Sequence, residues 1–180
     1  MRFHRLTIGA LATGLILLTT TGWALQQKAS SDALIRAQVE RRILDYAFYT
    51  IYDNVEVAVK DGRVTLTGEL MADARGRAIT DIVSRVPGVV DVNNLMRTIV
   101  VSPKDDDIRY EIAARVYTNP LFAYEEIPSS VHIIVENARV KLTGLVPSEL
   151  ERQIAEMLAS GVPGVARVDN RLRCLVHNPD

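Results

Sequence analysis

Three histidines, one cysteine and an acidic triplet are the residues of this 180-residue chain best suited to bind a metal or act on a substrate. Metal or acid–base chemistry needs such groups brought together in defined roles. His4, His132 and His177 are scattered over the start, a strand and the tail, so no pair has metal-ligand spacing. His132 alternates with Val131 and Ile133, which points it outward from a strand into solvent. Cys174 lies beside Leu175 and Val176 and reads as a small buried hydrophobe. Asp105, Asp106 and Asp107 cannot all converge on one cation from a helix start, and they suit the positive end of a helix dipole instead. "GVPGV" has two glycines, but no strand precedes it and no lysine follows, so it is not a phosphate loop. The expectation is a non-catalytic protein with no catalytic residue, cofactor or metal.

What remains is contact chemistry. Apart from Phe3 and Trp23, every aromatic ring lies in one of two stretches. "ILDYAFYTIYDN" (43–54) holds Tyr46, Phe48, Tyr49 and Tyr52, and "YEIAARVYTNPLFAYEEI" (110–127) holds Tyr110, Tyr117, Phe122 and Tyr124. Tyr46 and Tyr117 continue apolar helix stripes and belong to the core. Phe48, Tyr49 and Tyr52 follow the point where the helical period breaks, while Leu121, Phe122 and Tyr124 sit in a longer loop between Asn119 and Pro128. These six are the candidate membrane or partner contacts, because amphipathic rings suit a bilayer interface and a protein interface equally. Packing of the two halves of the chain against each other uses the same kind of surface, and the sequence leaves both readings open.

The elements that must position these residues come from an internal repeat. "VEVAVKDGRVTLTGEL" (55–70) matches "VHIIVENARVKLTGLV" (131–146), and "SRVPGVVDVNNLMR" (84–97) matches "SGVPGVARVDNRLR" (160–173), both at an offset of 76 residues. Fifteen of the 43 positions from Val55 to Arg97 are identical, which establishes a tandem repeat. Upstream, Ile35, Val39 and Ile43 correspond to Ile108, Ile112 and Val116, a four-residue spacing that predicts a first helix in each unit. Asp32 and Asp105 stand just ahead as N-caps. Alternating Val55, Val57 and Val59, the turn pair Asp61-Gly62, and then Val64 and Leu66 predict a β-hairpin. The second copy has Asn137 and Ala138 at that turn, and alanine's aversion to positive φ predicts a looser turn or another type. Pro147, a capping box of Ser148 and Glu151, and the stripe Leu150, Ile154 and Leu158 give a second helix, matched more weakly by 72–85. A last strand follows each "VPGV". The predicted class is α+β: two tandem α-β-β-α-β units, each a small three-stranded mixed sheet with two helices on one face, at 32–101 and 105–176 with a linker at 102–104.

Charge and the first residues bear on location. A formal charge of −1 with no basic block argues against nucleic acid, which needs a concentrated positive footprint. Arg2, His4 and Arg5, the thirteen-residue apolar run "LTIGALATGLILL" and the small residues Gly22 and Ala24 read as a signal peptide over 1–24, cleaved after Ala24. The rival reading is an uncleaved anchor. The apolar run falls short of the roughly 20 residues that span a bilayer.

With the repeat laid out, the chain resembles the BON domain family. The resemblance rests on "D-x-x-I" in the first helix, "V-x-V-x-x-G-x-V-x-L-x-G" in the hairpin and "V-P-G-V-x-x-V-x-N-x-L" at the close, with Gly68, Gly88, Gly144 and Gly164 in register twice. It departs at Ala138, in place of the hairpin glycine, and at Arg171, opposite Leu95. The resemblance implies a periplasmic, envelope-associated protein that meets phospholipid membrane surfaces or envelope proteins, with lipid contact through the second repeat. Its alternative implication is a soluble chaperone-like or scaffold module.

Overall fold

The computed structural model describes residues 20–123 and 131–175, with side chains from Ser31 onward. The apolar run at residues 6–18, His4, Tyr124 and His177 lie outside the described residues.

The first unit is helix α1 (Thr20–Leu44), strands β1 (Asn54–Lys60) and β2 (Arg63–Leu70), helix α2 (Asp73–Ser84), and strands β3 (Asp91–Asn94) and β4 (Arg97–Thr98). The second repeats the order with α3 (Pro103–Tyr117), a 3-10 turn (Pro120–Phe122), β5 (Val131–Glu136), β6 (Arg139–Val146), α4 (Glu149–Ser160), β7 (Arg167–Asn170) and β8 (Arg173–Cys174). In each sheet the hairpin's second strand is central. β2 runs antiparallel to β1 and parallel to β3 and β4, and β6 does the same with β5, β7 and β8. Leu66 opposes Asn94 and Glu69 opposes Arg97, so the register holds across the break and β3 with β4 is one interrupted strand. Each unit is therefore the expected α-β-β-α-β arrangement around a three-stranded mixed sheet.

The helix stripes supply the cores. Ile35, Val39 and Ile43 pack with Val57, Val64, Leu66, Ile79 and Val83; Ile108, Ile112 and Val116 pack with Val131, Ile133, Val135, Val140 and Leu142. Strand alternation sends every second residue to the helices, and removal of that apolar surface from water drives the packing.

Three local expectations are corrected. Ser102, not Asp105, caps α3, accepting from the Asp105 N–H, and α1 begins well before Asp32. Both aspartates instead clamp the hairpin turns: Asp32 accepts from the N–H groups of Asp61 and Gly62 at 2.8 and 2.9 Å, and Asp105 from those of Asn137 and Ala138 at 3.0 and 2.8 Å. Nor is the second turn of another type. Asn137 (φ 53°) and Ala138 (φ 62°) repeat the left-handed pair Asp61 (φ 57°) and Gly62 (φ 73°), so the clamp holds alanine where glycine would sit without strain. At α4, Ser148 accepts from the Leu150 N–H and donates to Glu151, which links the two capping side chains directly.

Candidate contact site at the repeat seam

The segment after α1 is built to reach the second repeat. A fully buried Asp53 organises it: Oδ2 accepts from the Thr50 N–H (2.9 Å), the Thr50 hydroxyl (2.8 Å) and Arg75, while Oδ1 accepts from the Met71 N–H (2.9 Å). A buried carboxylate is tolerable only with this many donors. So held, the segment offers its carbonyls and rings outward. The Ile133 N–H donates to Ile51 O at 2.7 Å, and His132 Nδ1 lies 3.2 Å from Thr50 O. Tyr52 stands edge-on to Tyr110, with ring centroids 5.7 Å apart, and 6.0 Å from the guanidinium carbon of Arg109.

Polar pairs extend the seam across the outer face of the second sheet. Thr143 donates to Asn54 Oδ1 at 3.0 Å, Lys141 sits 2.6 Å from both oxygens of Glu69, and Arg97 reaches Glu136 at 2.9 Å. The Glu136 carboxyl is held below the usual carboxylate range, chiefly by its hydrogen bond from Arg97. Arg109 is fully buried, donating to Val135 O at 2.8 Å and pairing with Asp106.

The six candidate contacts divide between seam, core and surface. Tyr49 and Tyr52 lie half-buried in the seam: Tyr49 stacks on His132 at 5.2 Å, and burial pushes its hydroxyl up to about 12. Phe48 is 66% exposed in the turn after α1, and Leu121 is exposed. Phe122, a candidate contact by its place in the longer loop, is instead only 5% exposed and packs in the second core. The Asn119 side chain accepts from the Leu121 N–H, closing the 3-10 turn that folds Phe122 inward. Tyr124 lies outside the described residues. Tyr46 and Tyr117 pack against their cores as the helical phase predicts, and burial pushes Tyr117, which donates to Val131 O, up to about 12.

His132 is also corrected. It is buried, not solvated, because the first repeat covers the face on which it stands, and burial lowers its pKa below 6.5 against the raising effect of the backbone at Asp53 and Thr50 and of the Asp53 charge. Cys174 is half-buried against the second core, with its thiol 3.7 Å from Glu149. Sequence reasoning missed Asp53, Arg109 and the Glu69–Lys141 and Arg97–Glu136 pairs. One signal was present: "VHIIVE" puts Ile134 at an outward position where the first repeat has Ala58, and Ile134 is buried in the seam.

Among the described residues no three His, Cys, Asp or Glu side chains come together to hold a metal, and no helix is long and apolar enough to cross a membrane. Comparison with protein families matches the BON domain twice, at residues 31–99 and 104–175. The chain belongs to the BON domain family. Osmotically-inducible protein Y of Escherichia coli (strain K12) is 27% identical over 152 residues, covering 79% of this chain and 72% of that one. Two structures of CdsD, a structural protein of the type III secretion system of Chlamydia trachomatis, align at 13% and 11% identity, each with a TM-score of 0.33. They cover 81% and 76% of this chain and 67% and 90% of theirs.

Proposed function

We propose that this tandem BON protein is a non-catalytic, stress-related module of the cell envelope, exported to the periplasm, that associates with phospholipid surfaces through the end of α1 and the loop after it. Phe48 carries the reading: it is 66% exposed and follows Arg41 and Arg42, both exposed in the last turn of α1. An apolar ring a few residues beyond exposed arginines, of which Arg41 also meets Asp45 at 3.9 Å, suits the headgroup boundary, where the ring leaves water and the remaining charge meets anionic lipid. The burial of Phe122 supports the first repeat over the second as the lipid-facing one. Relatedness to an osmotically inducible protein supports the stress and envelope setting.

Flotation of the chain with vesicles of phosphatidylethanolamine and phosphatidylglycerol tests this. Binding should rise with the phosphatidylglycerol fraction, fall with salt, and weaken in Phe48→Ser and in Arg42→Glu while the melting temperature holds. Flotation unchanged in both variants would place the contact elsewhere.

A further inference from the structure

A cleft of about 460 Å³ opens along the outer edge of β1, between α1 and the second repeat. Arg36, Leu44, Val55 and Val57 line one side, and Arg173 stands on the other. In the repeat alignment the first four correspond to Arg109, Tyr117, Val131 and Ile133. There the site is filled. The Ile133 N–H receives Ile51 O, Tyr52 lies over Arg109, and both Ile51 and Tyr52 pack against the second core. The molecule therefore displays what such a groove accepts: an extended segment giving one carbonyl to the strand edge and one ring to the arginine.

The first-repeat groove has the same fittings, with Tyr49 reaching its Val55 end, where the hydroxyl accepts from the Val55 N–H at 3.3 Å, and no described segment laid along Val57. Val57 opposes Leu66 as Ile133 opposes Leu142, so its N–H turns to the same outer edge. Arg36 is exposed and, among the described residues, meets only Glu40, at 2.8 Å, itself in the cleft lining. Arg173 has no ion-pair partner among the described residues, so the far wall offers a positive charge.

We propose that this cleft docks an extended segment of another polypeptide, one with an apolar residue followed by an aromatic residue, as Ile51-Tyr52 presents to the second repeat, and with a carboxylate beyond them to meet Arg173. The segment adds to the β1 edge by a backbone hydrogen bond, lays its ring on Arg36 and sets its carboxylate toward Arg173. A polypeptide fits better than an acyl chain because the edge presents a directional backbone donor that hydrocarbon cannot satisfy. Leu44 and Tyr49, at and after the end of α1, line the cleft, but Phe48 and Arg42, which carry the membrane reading, do not, so Phe48→Ser and Arg36→Glu separate the two readings.

The test titrates the full ¹⁵N-labelled chain with the peptide Phe-Tyr-Thr-Ile-Tyr-Asp-Asn-Val, the sequence of residues 48–55. Saturable shifts are expected at the amides of Leu44, Val55 and Val57, and Arg36→Glu and Leu44→Lys should each weaken binding at least about tenfold, some 1.4 kcal/mol. Both side chains are exposed, so both variants should keep the wild-type spectrum elsewhere. Absence of saturable binding, or unchanged affinity in both variants, overturns the proposal. So do shifts confined to Val131–Val135, which mean exchange into the internal groove, and shifts at Val57 produced by phosphatidylglycerol vesicles but not by the peptide.

Discussion

On β1 the outward-facing Glu56, Ala58 and Lys60 are exposed, whereas the aligned His132, Ile134 and Glu136 on β5 are buried or half-buried. Two strands with one ancestral pattern thus sit in different surroundings. The first repeat lends its 49–54 segment and the Glu69 and Arg97 side chains to cover the second, and nothing described covers Glu56, Ala58 and Lys60 on the first in return. Duplication of a half-buried sheet creates two outer faces, and the seam resolves only one of them. The other is where a tandem protein of this kind still has an edge to offer.

The largest expected effect breaks the lender's arm. Asp53→Ala removes the acceptor of the Thr50 and Met71 N–H groups and of Arg75, and should cost about 3–5 kcal/mol. Urea denaturation gives the loss. Hydrogen exchange localises it, because the Ile133 amide should lose protection when Ile51 is released. A loss below about 1 kcal/mol would mean that the segment is held by its rings alone.

Next comes the aligned arginine pair. Arg109→Ala strips a charged hydrogen bond from buried Val135 O and should cost about 2–3 kcal/mol. Arg36→Ala removes only an exposed helix ion pair worth at most about 0.5 kcal/mol. Equal losses at the two positions would erase the asymmetry claimed for the two grooves.

Periodicity made most of this fold legible. Stripes at Ile35, Val39 and Ile43 and at Ile108, Ile112 and Val116 become the core because a helix has a single face to bury, and the hairpins follow from alternation and turn chemistry. What spacing cannot register is an interaction between units. His132 reads as solvated because alternation knows one sheet and two faces, and the covering repeat arrives only with the fold. Asp32 and Asp105 read as helix caps because they precede apolar stripes; their clamp on the turns spans about thirty residues of sequence. Phe122 reads as exposed because loop length is visible in sequence, while the inward closure of a 3-10 turn by Asn119 is not.

The pH dependence should be smaller and confined to the second face. His132 has its folded pKa lowered, with desolvation the leading cause. Its neutral form is accommodated above the unfolded value near 6.5; as pH falls from there toward the lowered folded value, the unfolded chain takes up a proton that the seam resists, and stability is lost. Melting temperatures should therefore drop between pH 7 and pH 5, and His132→Gln should flatten that window. Asp105 acts lower: burial alone would raise its pKa, but the Ala138 N–H, the Ser102 hydroxyl, the Asn137 N–H and Arg109 outweigh it and hold it below 3.8. Its stabilisation is present above that unfolded value and is lost only as pH falls through the lower folded one. A His132→Gln profile that still falls between 7 and 5 would assign the window to another group.

The smallest effect compares the two turns. Ala138 at φ 62° occupies a conformation that costs an L-residue about 1–2 kcal/mol, while its counterpart Gly62 at φ 73° bears no such strain. Ala138→Gly relieves that strain, against about 0.4–1 kcal/mol for the greater freedom of glycine in the unfolded chain and the loss of a methyl packed on the second core. The balance is a gain of about 0.5 kcal/mol, or roughly 1–2 °C in melting temperature for a chain of this size. The reverse change should be costlier: a Cβ at Gly62 would stand 2.8 Å from Gly88 O, and backbone cannot yield as a flexible side chain can. Both turns keep their aspartate clamp, so the pair of substitutions isolates the turn residue itself. If Ala138→Gly lowers stability, the methyl contact outweighs the strain, and the second repeat keeps its alanine for packing.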